Sequence, residues 1–255
     1  VFDRITGEPI WPIEEQQAPA SKVPGEQAWP TQPFPTKPAP FDRQGLTKAD
    51  LIDFTPALHE EALEIISEYD YGPLYTPPSL RGTIQMPGEL GGGDWVGASA
   101  DVNSGVIFVP SKTLPDVTVL TAIDDTNAVS AYGGKRRRLR GPQGLPLTKP
   151  PYGRITAIDM KSGEHLWMRP LGTGPVNHPA LDGVEGIPDE LGWQSRAFLM
   201  TTPHLLFATM EHPGSFANTG NGYFIDRDAT LTAYDKNTGK QLSTIPLPDN
   251  TWGGL

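Results

Sequence analysis

One short turn motif recurs four times along this chain and constrains its fold more than any other feature. Each copy reads Asp, two residues, Thr or Ser, then Gly, and the copies occupy residues 3–7, 101–105, 159–163 and 235–239. The Asp side chain can accept backbone N–H groups within such a turn, and the Gly supplies a positive φ. Apolar, strand-like residues precede three of the copies. The motif therefore predicts a β-hairpin used repeatedly, which is typical of a repeat architecture.

The arrangement of these hairpins favours a β-propeller. Trp follows the turn Gly by four residues in two copies, at Trp11 and Trp167, and Ser243 takes that place in the last copy. Four-stranded sheets set radially would bring such tryptophans into equivalent places, whereas a β-sandwich or a solenoid explains them less well. Consecutive copies start 98, 58 and 76 residues apart, wider than the about 40–50 residues of a simple propeller repeat. We therefore expect an all-β fold, a partial propeller over residues 1–255 with inserted segments.

The composition excludes several classes of protein. The 255 residues include 28 Gly and 28 Pro, so turns should outnumber long helices. A net charge of −10 argues against nucleic acid as the main partner. The lack of cysteine excludes disulfides and thiolate metal sites, and no apolar run reaches the ~20 residues of a membrane span. The chain opens without Met or a signal peptide and stops on an apolar residue, so we expect a piece of a longer protein.

Residues 18–72 form the first of two expected insertions, Pro-rich at its start and helical at its end. Seven prolines fall within residues 18–43, a composition that favours extended, polyproline-like chain. Thr47 with Asp50 predicts a capping box, and Thr55 followed by Pro56 predicts a helix start. This helix should bury one apolar face, made of Leu58, Ala62, Ile65, Ile66 and Tyr69.

The second expected insertion is an irregular segment over residues 124–151. It contains five cations within residues 135–140, which can bind an acidic partner, although a solvated loop is the simpler interpretation in so acidic a chain. A further strand pair is expected after it, at residues 196–200 and 205–209, turning at 202–204.

The best candidate for a site is the stretch 91–111, GGGDWVGASADVNSGVIFVPS. Its three glycines allow a positive φ and the close approach of a flat ligand, and Asp94 and Trp95 then place a carboxylate beside a large aromatic face. A strand, a turn at 103–105 and a second strand at 106–109 would give this loop a rigid base. The competing interpretation is a β-turn followed by a core tryptophan.

The remaining constellations carry weaker signals. The sequence lacks a P-loop, a dinucleotide fingerprint and a local motif for nucleophilic catalysis. The histidines do not recur at a helical spacing of four, so they do not predict a zinc site; they are His59, His165, His178, His204 and His212. Residues 218–228 offer oxygen ligands and glycines without the spacing of a calcium loop, and a turn is the simpler interpretation.

Several stretches together resemble the quinoprotein dehydrogenases, eight-bladed propellers that bind pyrroloquinoline quinone (PQQ). The run AIDMKSGEHLW at residues 157–167 is similar to their blade signature. The opening FDRITGEPIWPIEE, the insertion PGEQAWPTQPFPTKPAPF and the stretch 91–111 resemble the branch of membrane-bound glucose and quinate dehydrogenases. The resemblance implies oxidation of a sugar or polyol hydroxyl, in which a base takes the proton and hydride passes to the quinone. A Ca²⁺ or Mg²⁺ ion polarises the quinone oxygen in this family, and a quinone or cytochrome accepts the electrons.

The resemblance also implies which residues of this chain belong to the cofactor pocket. Gly93 and Trp95 match a Gly-rich loop with Asn-Trp in this branch, whereas Asp94 stands where the family has the amide. The carboxylate loses two N–H donors and adds negative charge near an anionic cofactor, or else holds a cation. Trp252 resembles a later segment near the mouth of the propeller funnel.

The family's catalytic Asp, the Lys that bonds the quinone oxygens and the metal ligands all lie upstream of the segment that matches residues 2–7. The resemblance therefore implies that this chain holds about half the blades, carries no catalytic residue and has no dehydrogenase activity alone. It also implies a periplasmic protein and allows a membrane anchor in a preceding segment.

Two interpretations without catalysis remain open at this point. A non-catalytic propeller can serve as a scaffold or binding module, but it has no need of the insertion at residues 18–69, which resembles the dehydrogenase branch. A secreted lectin-like repeat is disfavoured because no repeated set of sugar-binding residues accompanies the turns.

Overall fold

A computed structural model describes residues 1–125, 127–211, 229–249 and 251. These residues contain one α-helix, α1 (Pro56–Ser67), and thirteen β-strands. The strands are β1 (Ile13–Gln17), β2 (Thr31–Pro35), β3 (Thr83–Gln85), β4 (Ser99–Asp101), β5 (Val106–Lys112), β6 (Asp116–Ala122), β7 (Tyr132–Arg138), β8 (Gly153–Asp159), β9 (His165–Pro170), β10 (Ala197–Thr201), β11 (Leu205–Met210), β12 (Thr230–Asp235) and β13 (Gln241–Pro246).

Two four-stranded antiparallel sheets organise the described chain. One has the strand order β4-β5-β8-β9 and the other β10-β11-β12-β13, and each pairs its neighbours antiparallel. The strand β10 packs against β4 and β5, so the two sheets are neighbours through their first strands. Such sheets correspond to propeller blades, and the expected strand pair around residues 202–204 is confirmed as β10 and β11.

All four predicted Asp–Gly turns are confirmed, and each closes in the same way. The glycines have φ between +70° and +77°, and each donates its N–H to the backbone oxygen of the turn Asp. The Asp carboxylate accepts backbone N–H groups from within the turn at 2.7–3.4 Å. These bonds satisfy the donors that a hairpin end would otherwise leave to water.

The repeated tryptophans join each hairpin to the next sheet. The Trp167 indole N–H donates to the backbone oxygen of Lys236 at 3.0 Å, and a Cβ on Gly239 would lie 2.7 Å from the indole ring. A Cβ on Gly163 would similarly lie 3.1 Å from the ring of Trp11. Each indole therefore rests on the turn glycine of the following sheet, where a larger residue does not fit.

A third sheet corrects the expectation of an irregular segment at residues 124–151. The strands β3, β6 and β7 form it in that order, and β6 and β7 lie between β5 and β8 along the chain. Most of the basic run lies in β7, where seven residues pair with β6. Lysine and arginine are depleted in strands, which is why composition suggested a loop. On this edge strand the cations stay largely in water, and Arg136 reaches the buried Asp116 at 2.6 Å.

The first insertion is more ordered at its start than a polyproline-like chain. Residues Thr31–Pro35 pair with β1 as a two-stranded antiparallel sheet, because proline is tolerated on an edge strand. The predicted helix is confirmed: Thr55 Oγ1 accepts the N–H of Leu58 at 3.2 Å, and Pro56 is the first helical residue. Thr47 and Asp50 form the predicted capping box on a single 3₁₀ turn.

Two hydrophobic cores support these elements. The first packs the apolar face of α1 against β3, β6 and the segment around Tyr152. The second lies between the two four-stranded sheets and includes Phe108, Ile155, Trp193 and Leu206. No helix in the described part of the chain is long and apolar enough to cross a bilayer.

Candidate functional site

The candidate loop comes directly before β4, the strand through which its sheet meets the neighbouring one. Trp95 is 70% exposed there, so the interpretation of a core tryptophan is wrong. A large aromatic ring held in water costs hydrophobic free energy unless something else covers it.

The glycines of this loop are needed for packing rather than for backbone freedom. Of the three, only Gly91 has a positive φ, at +73°. A Cβ on Gly92 would overlap Asp42 Oδ2, and one on Gly93 would lie 3.2 Å from the ring of Phe41. The loop is thus pressed onto the Phe41–Asp42 segment, which a larger side chain at either position would displace.

A buried polar network fixes Asp42 beneath the loop. Its Oδ1 accepts hydrogen bonds from Arg154 at 2.7 Å and from Thr113 Oγ1 at 2.6 Å. Both charged side chains are almost completely buried, and burial lowers the pKa of Arg154 although the neighbouring Asp42 carboxylate opposes that change. A buried pair with added hydrogen bonds specifies geometry, and it ties the first insertion to β8 under the loop.

Asp94 forms an ion pair with Lys112, a partner that the sequence did not reveal. Its Oδ2 lies 2.9 Å from the Nζ of Lys112, whose side chain is only 1% exposed, and its Oδ1 accepts the Trp95 N–H at 2.7 Å. Burial raises the pKa of Asp94, but the hydrogen bonds from Lys112 and the Trp95 N–H outweigh it and lower the pKa below its usual value. The pair is therefore ionised and neutral overall, and adds no net negative charge to the site.

The Trp95 ring has neighbours on one face and one edge. The guanidinium carbon of Arg196 lies 5.2 Å from the ring centroid, within reach of a cation–π interaction. Phe198 approaches edge-on, with centroids 6.4 Å apart and an interplanar angle of 71°. Trp95 as a whole stays 70% exposed.

The space beside Asp94 is a wall rather than a closed pocket. The recess between the loop, the end of β5 and the start of β10 has a volume of about 10 Å³, which is about the space of one water molecule. Pockets that enclose a ligand measure roughly 300–1,000 Å³, so this recess does not enclose one.

Several predicted positions lie elsewhere. No group of three His, Cys, Asp or Glu side chains that could hold a metal occurs in the described ranges. His59 and His165 contact backbone oxygens through ring nitrogens, and His178 Nδ1 accepts the Ala180 N–H. Trp252, His212 and residues 218–228 lie outside the described residues.

Sequence reasoning selected Asp94 and Trp95 but missed Lys112 and Arg196. It also missed Glu211, whose carboxylate pairs with Arg196. The available signal was a lone lysine ending the apolar run at residues 106–111, since a buried lysine requires a counter-charge.

Comparisons with known proteins match this chain almost from end to end. The family model described as "PQQ: Glucose/ethanol/alcohol dehydrogenase, beta-propeller domain" matches residues 1–254. The glycerol dehydrogenase large subunit of Gluconobacter oxydans (strain 621H) is 32% identical, over 97% of this chain and 35% of that protein.

Two further relatives give the same coverage. The probable quinate dehydrogenase (quinone) of Xanthomonas campestris pv. juglandis is 28% identical, over 100% of this chain and 33% of that protein. Quinoprotein glucose dehydrogenase A of Acinetobacter calcoaceticus is 29% identical, over 97% and 32%. The chain spans about a third of the length of the curated relatives it matches.

Proposed function

Because this chain belongs to the family of PQQ-dependent glucose, ethanol and alcohol dehydrogenase β-propeller domains, we propose that it forms one wall of the cofactor site in such an enzyme. The observation that carries the proposal is the exposed face of Trp95, held on a loop packed over a buried ion pair. An aromatic surface next to a neutral Asp94–Lys112 pair suits a flat, anionic ring system.

Each residue of this wall has a defined part. Trp95 stacks against the ring system, and the glycine at position 93 keeps the loop low on Phe41 so that the ring can come close. Asp94 binds Lys112 and the Trp95 N–H, so it orients the indole rather than coordinating a metal. PQQ, when bound, supplies the quinone that accepts hydride from the substrate.

The remaining parts of the reaction belong to the whole enzyme. We propose a sugar or polyol as substrate, because relatives are named glycerol, quinate and glucose dehydrogenases. A quinone is the favoured electron acceptor, which the name of the quinate relative supports, and a cytochrome is the alternative. The catalytic Asp and Lys and the ligands of a Ca²⁺ or Mg²⁺ ion are assigned outside these 255 residues, so the isolated chain should reduce no dye.

We place the enzyme in the periplasm, on the basis of the resemblance to the membrane-bound branch. An alkaline phosphatase fusion to the complete protein tests this: activity of the reporter in intact cells supports the location, and its absence contradicts it.

Titration of the complete protein with PQQ in the presence of Ca²⁺ tests the assigned wall. Trp95→Ala should weaken PQQ binding about 5- to 150-fold, because base-like stacking on one aromatic ring contributes about 1–3 kcal/mol. Trp29→Ala is the matched control, since Trp29 is 73% exposed but lies in the Pro-rich insertion. Equal effects of the two variants would contradict the assignment, and a complete protein that binds no PQQ would favour the non-catalytic scaffold.

A further inference from the structure

We propose that Arg196 and Glu211 are positioning residues that fix the plane of the Trp95 ring at the cofactor wall. The inference rests on the proposed function for its relevance to PQQ, while the positioning itself can be measured without cofactor. Neither residue belongs to the loop that the sequence and the family resemblance single out.

The two side chains form a forked ion pair with a single geometry. Arg196 donates through Nε to Glu211 Oε2 at 2.5 Å and through a terminal nitrogen to Oε1. The Glu211 side chain is 1% exposed and that of Arg196 is 13% exposed. A planar guanidinium bound at two points to a carboxylate cannot rotate out of the plane of the fork.

The backbone holds the carboxylate end of this pair in place. The Glu211 N–H donates to the Arg196 oxygen at 2.9 Å, and the Glu211 oxygen accepts the Ser195 hydroxyl at 2.6 Å. Arg196 directly precedes β10 and Glu211 directly follows β11, so both sit at one end of a single hairpin. The pair is therefore a rigid part of the second four-stranded sheet.

Trp95 belongs to the other sheet, and the pair reaches it across the gap between them. The guanidinium lies against one ring face at 5.2 Å, while the Asp94–Lys112 pair holds the Trp95 backbone from its own side. The Asp94–Lys112 pair thus fixes the backbone from which the Trp95 side chain starts, and the Arg196–Glu211 pair fixes its ring. The free face is left in a defined orientation, which lowers the entropy lost when a flat ligand stacks on it.

A substitution that keeps the positive charge but removes the planar guanidinium group tests the inference in the complete protein. Arg196→Lys retains a cation near Glu211 and loses the fork, and Glu211→Gln keeps the size of the carboxylate as a second variant. The matched control is Arg169→Lys, because Arg169 also binds a glutamate, Glu190, at 2.5 Å and also lies over an aromatic ring, 4.7 Å from its centroid.

The first readout is the acrylamide quenching of Trp95, obtained as the difference between each protein and the same protein carrying Trp95→Phe. We expect Arg196→Lys or Glu211→Gln to raise this quenching by up to about 1.4-fold without cofactor, since Trp95 is already 70% exposed, and Arg169→Lys to leave it unchanged. Unchanged quenching in both test variants, or the same rise in the control, would overturn the positioning role.

The second readout is the affinity for PQQ at fixed Ca²⁺. Arg196→Lys should weaken it about tenfold in the parent protein and should add nothing once Trp95→Ala is present, because the arginine acts through the ring. Additive losses would show that Arg196 acts independently of Trp95 and would overturn the inference. If Trp95→Ala leaves the affinity unchanged, the proposed cofactor wall fails, and the quenching data alone then decide the positioning.

Discussion

Replacing Asp94 with Asn removes the negative charge that neutralises a buried lysine. The amide oxygen of the variant would still accept the Trp95 N–H, so the backbone of the loop keeps one of its ties. The Nζ of Lys112, however, would lose the carboxylate that now lies 2.9 Å away. The structure therefore predicts a loss of stability, although the resemblance to the family makes Asn the expected residue at this position.

The size of the loss follows from the burial of the two groups. The Lys112 side chain is 1% exposed and that of Asp94 is 15% exposed. Breaking a buried ion pair on one side costs about 3–5 kcal/mol. Because Asp94 is partly exposed to solvent, we expect Asp94→Asn to lower the free energy of unfolding by about 3 kcal/mol.

A double-mutant cycle in the thermal unfolding of the complete protein measures this directly. A loss of about 3 kcal/mol would lower the midpoint by roughly 6–12 °C in a domain of 150–250 residues, and we expect a smaller shift in the larger complete protein. Adding Lys112→Met removes the unpaired charge, so Asp94→Asn/Lys112→Met should recover most of that loss. A single variant within about 1 kcal/mol of the parent, or a double variant that loses the sum of both singles, would refute the reasoning. If it holds, an amide at position 94 requires an uncharged residue at position 112.

Three further perturbations have defined outcomes. Gly239→Ala and Gly7→Ala both strain a positive φ by about 1–2 kcal/mol, but only Gly239 meets a docked indole, so its loss in unfolding free energy should be about 1–3 kcal/mol larger; equal losses would contradict the docking. The hydrogen bond from Lys236 lowers the pKa of Asp101, so its stabilisation is complete above about pH 3.9 and is lost as the pH falls towards the folded pKa. Asp101→Asn should therefore flatten the fall of the unfolding midpoint between about pH 4 and 2, and an unchanged profile would refute this. Thr55→Ala should cost about 1 kcal/mol, seen as several-fold faster hydrogen exchange in α1, and unchanged exchange would show that the cap contributes little.

Features set by local chemistry were predictable from the sequence. Each Asp–Gly turn closes through hydrogen bonds within five residues, so a five-residue pattern carries the information. The start of α1 depends on a bond between Thr55 and an N–H three residues later. The choice of Asp94 and Trp95 as candidate residues also came from one contiguous stretch, and their role in binding stays a prediction.

Features set by contacts between distant segments were not predictable. The strand β7 exists because β6 pairs with it, and its lysine and arginine content points away from a strand. Whether Trp95 is buried depends on the neighbouring sheet, which leaves one of its faces open. The partners in the two ion pairs are 18 and 15 residues apart, and no helical or strand period links them.

The wide spacing of the four turns has a structural cause. The turns at 101–105 and 159–163 belong to one sheet, since they join β4 to β5 and β8 to β9, and two strands of the third sheet, β6 and β7, are inserted between them. The indoles of Trp11 and Trp167 rest on the turns at 163 and 239. The turns that receive an indole are therefore those that join the last two strands of each four-stranded sheet, and the turn at 101–105 is not one of them. The candidate loop leads instead into β4, at the opposite edge of the same sheet. The docked tryptophans therefore act at the edge formed by β9, whereas β10 packs against β4 and β5 beside the candidate loop, so both edges of the sheet contact the neighbouring one.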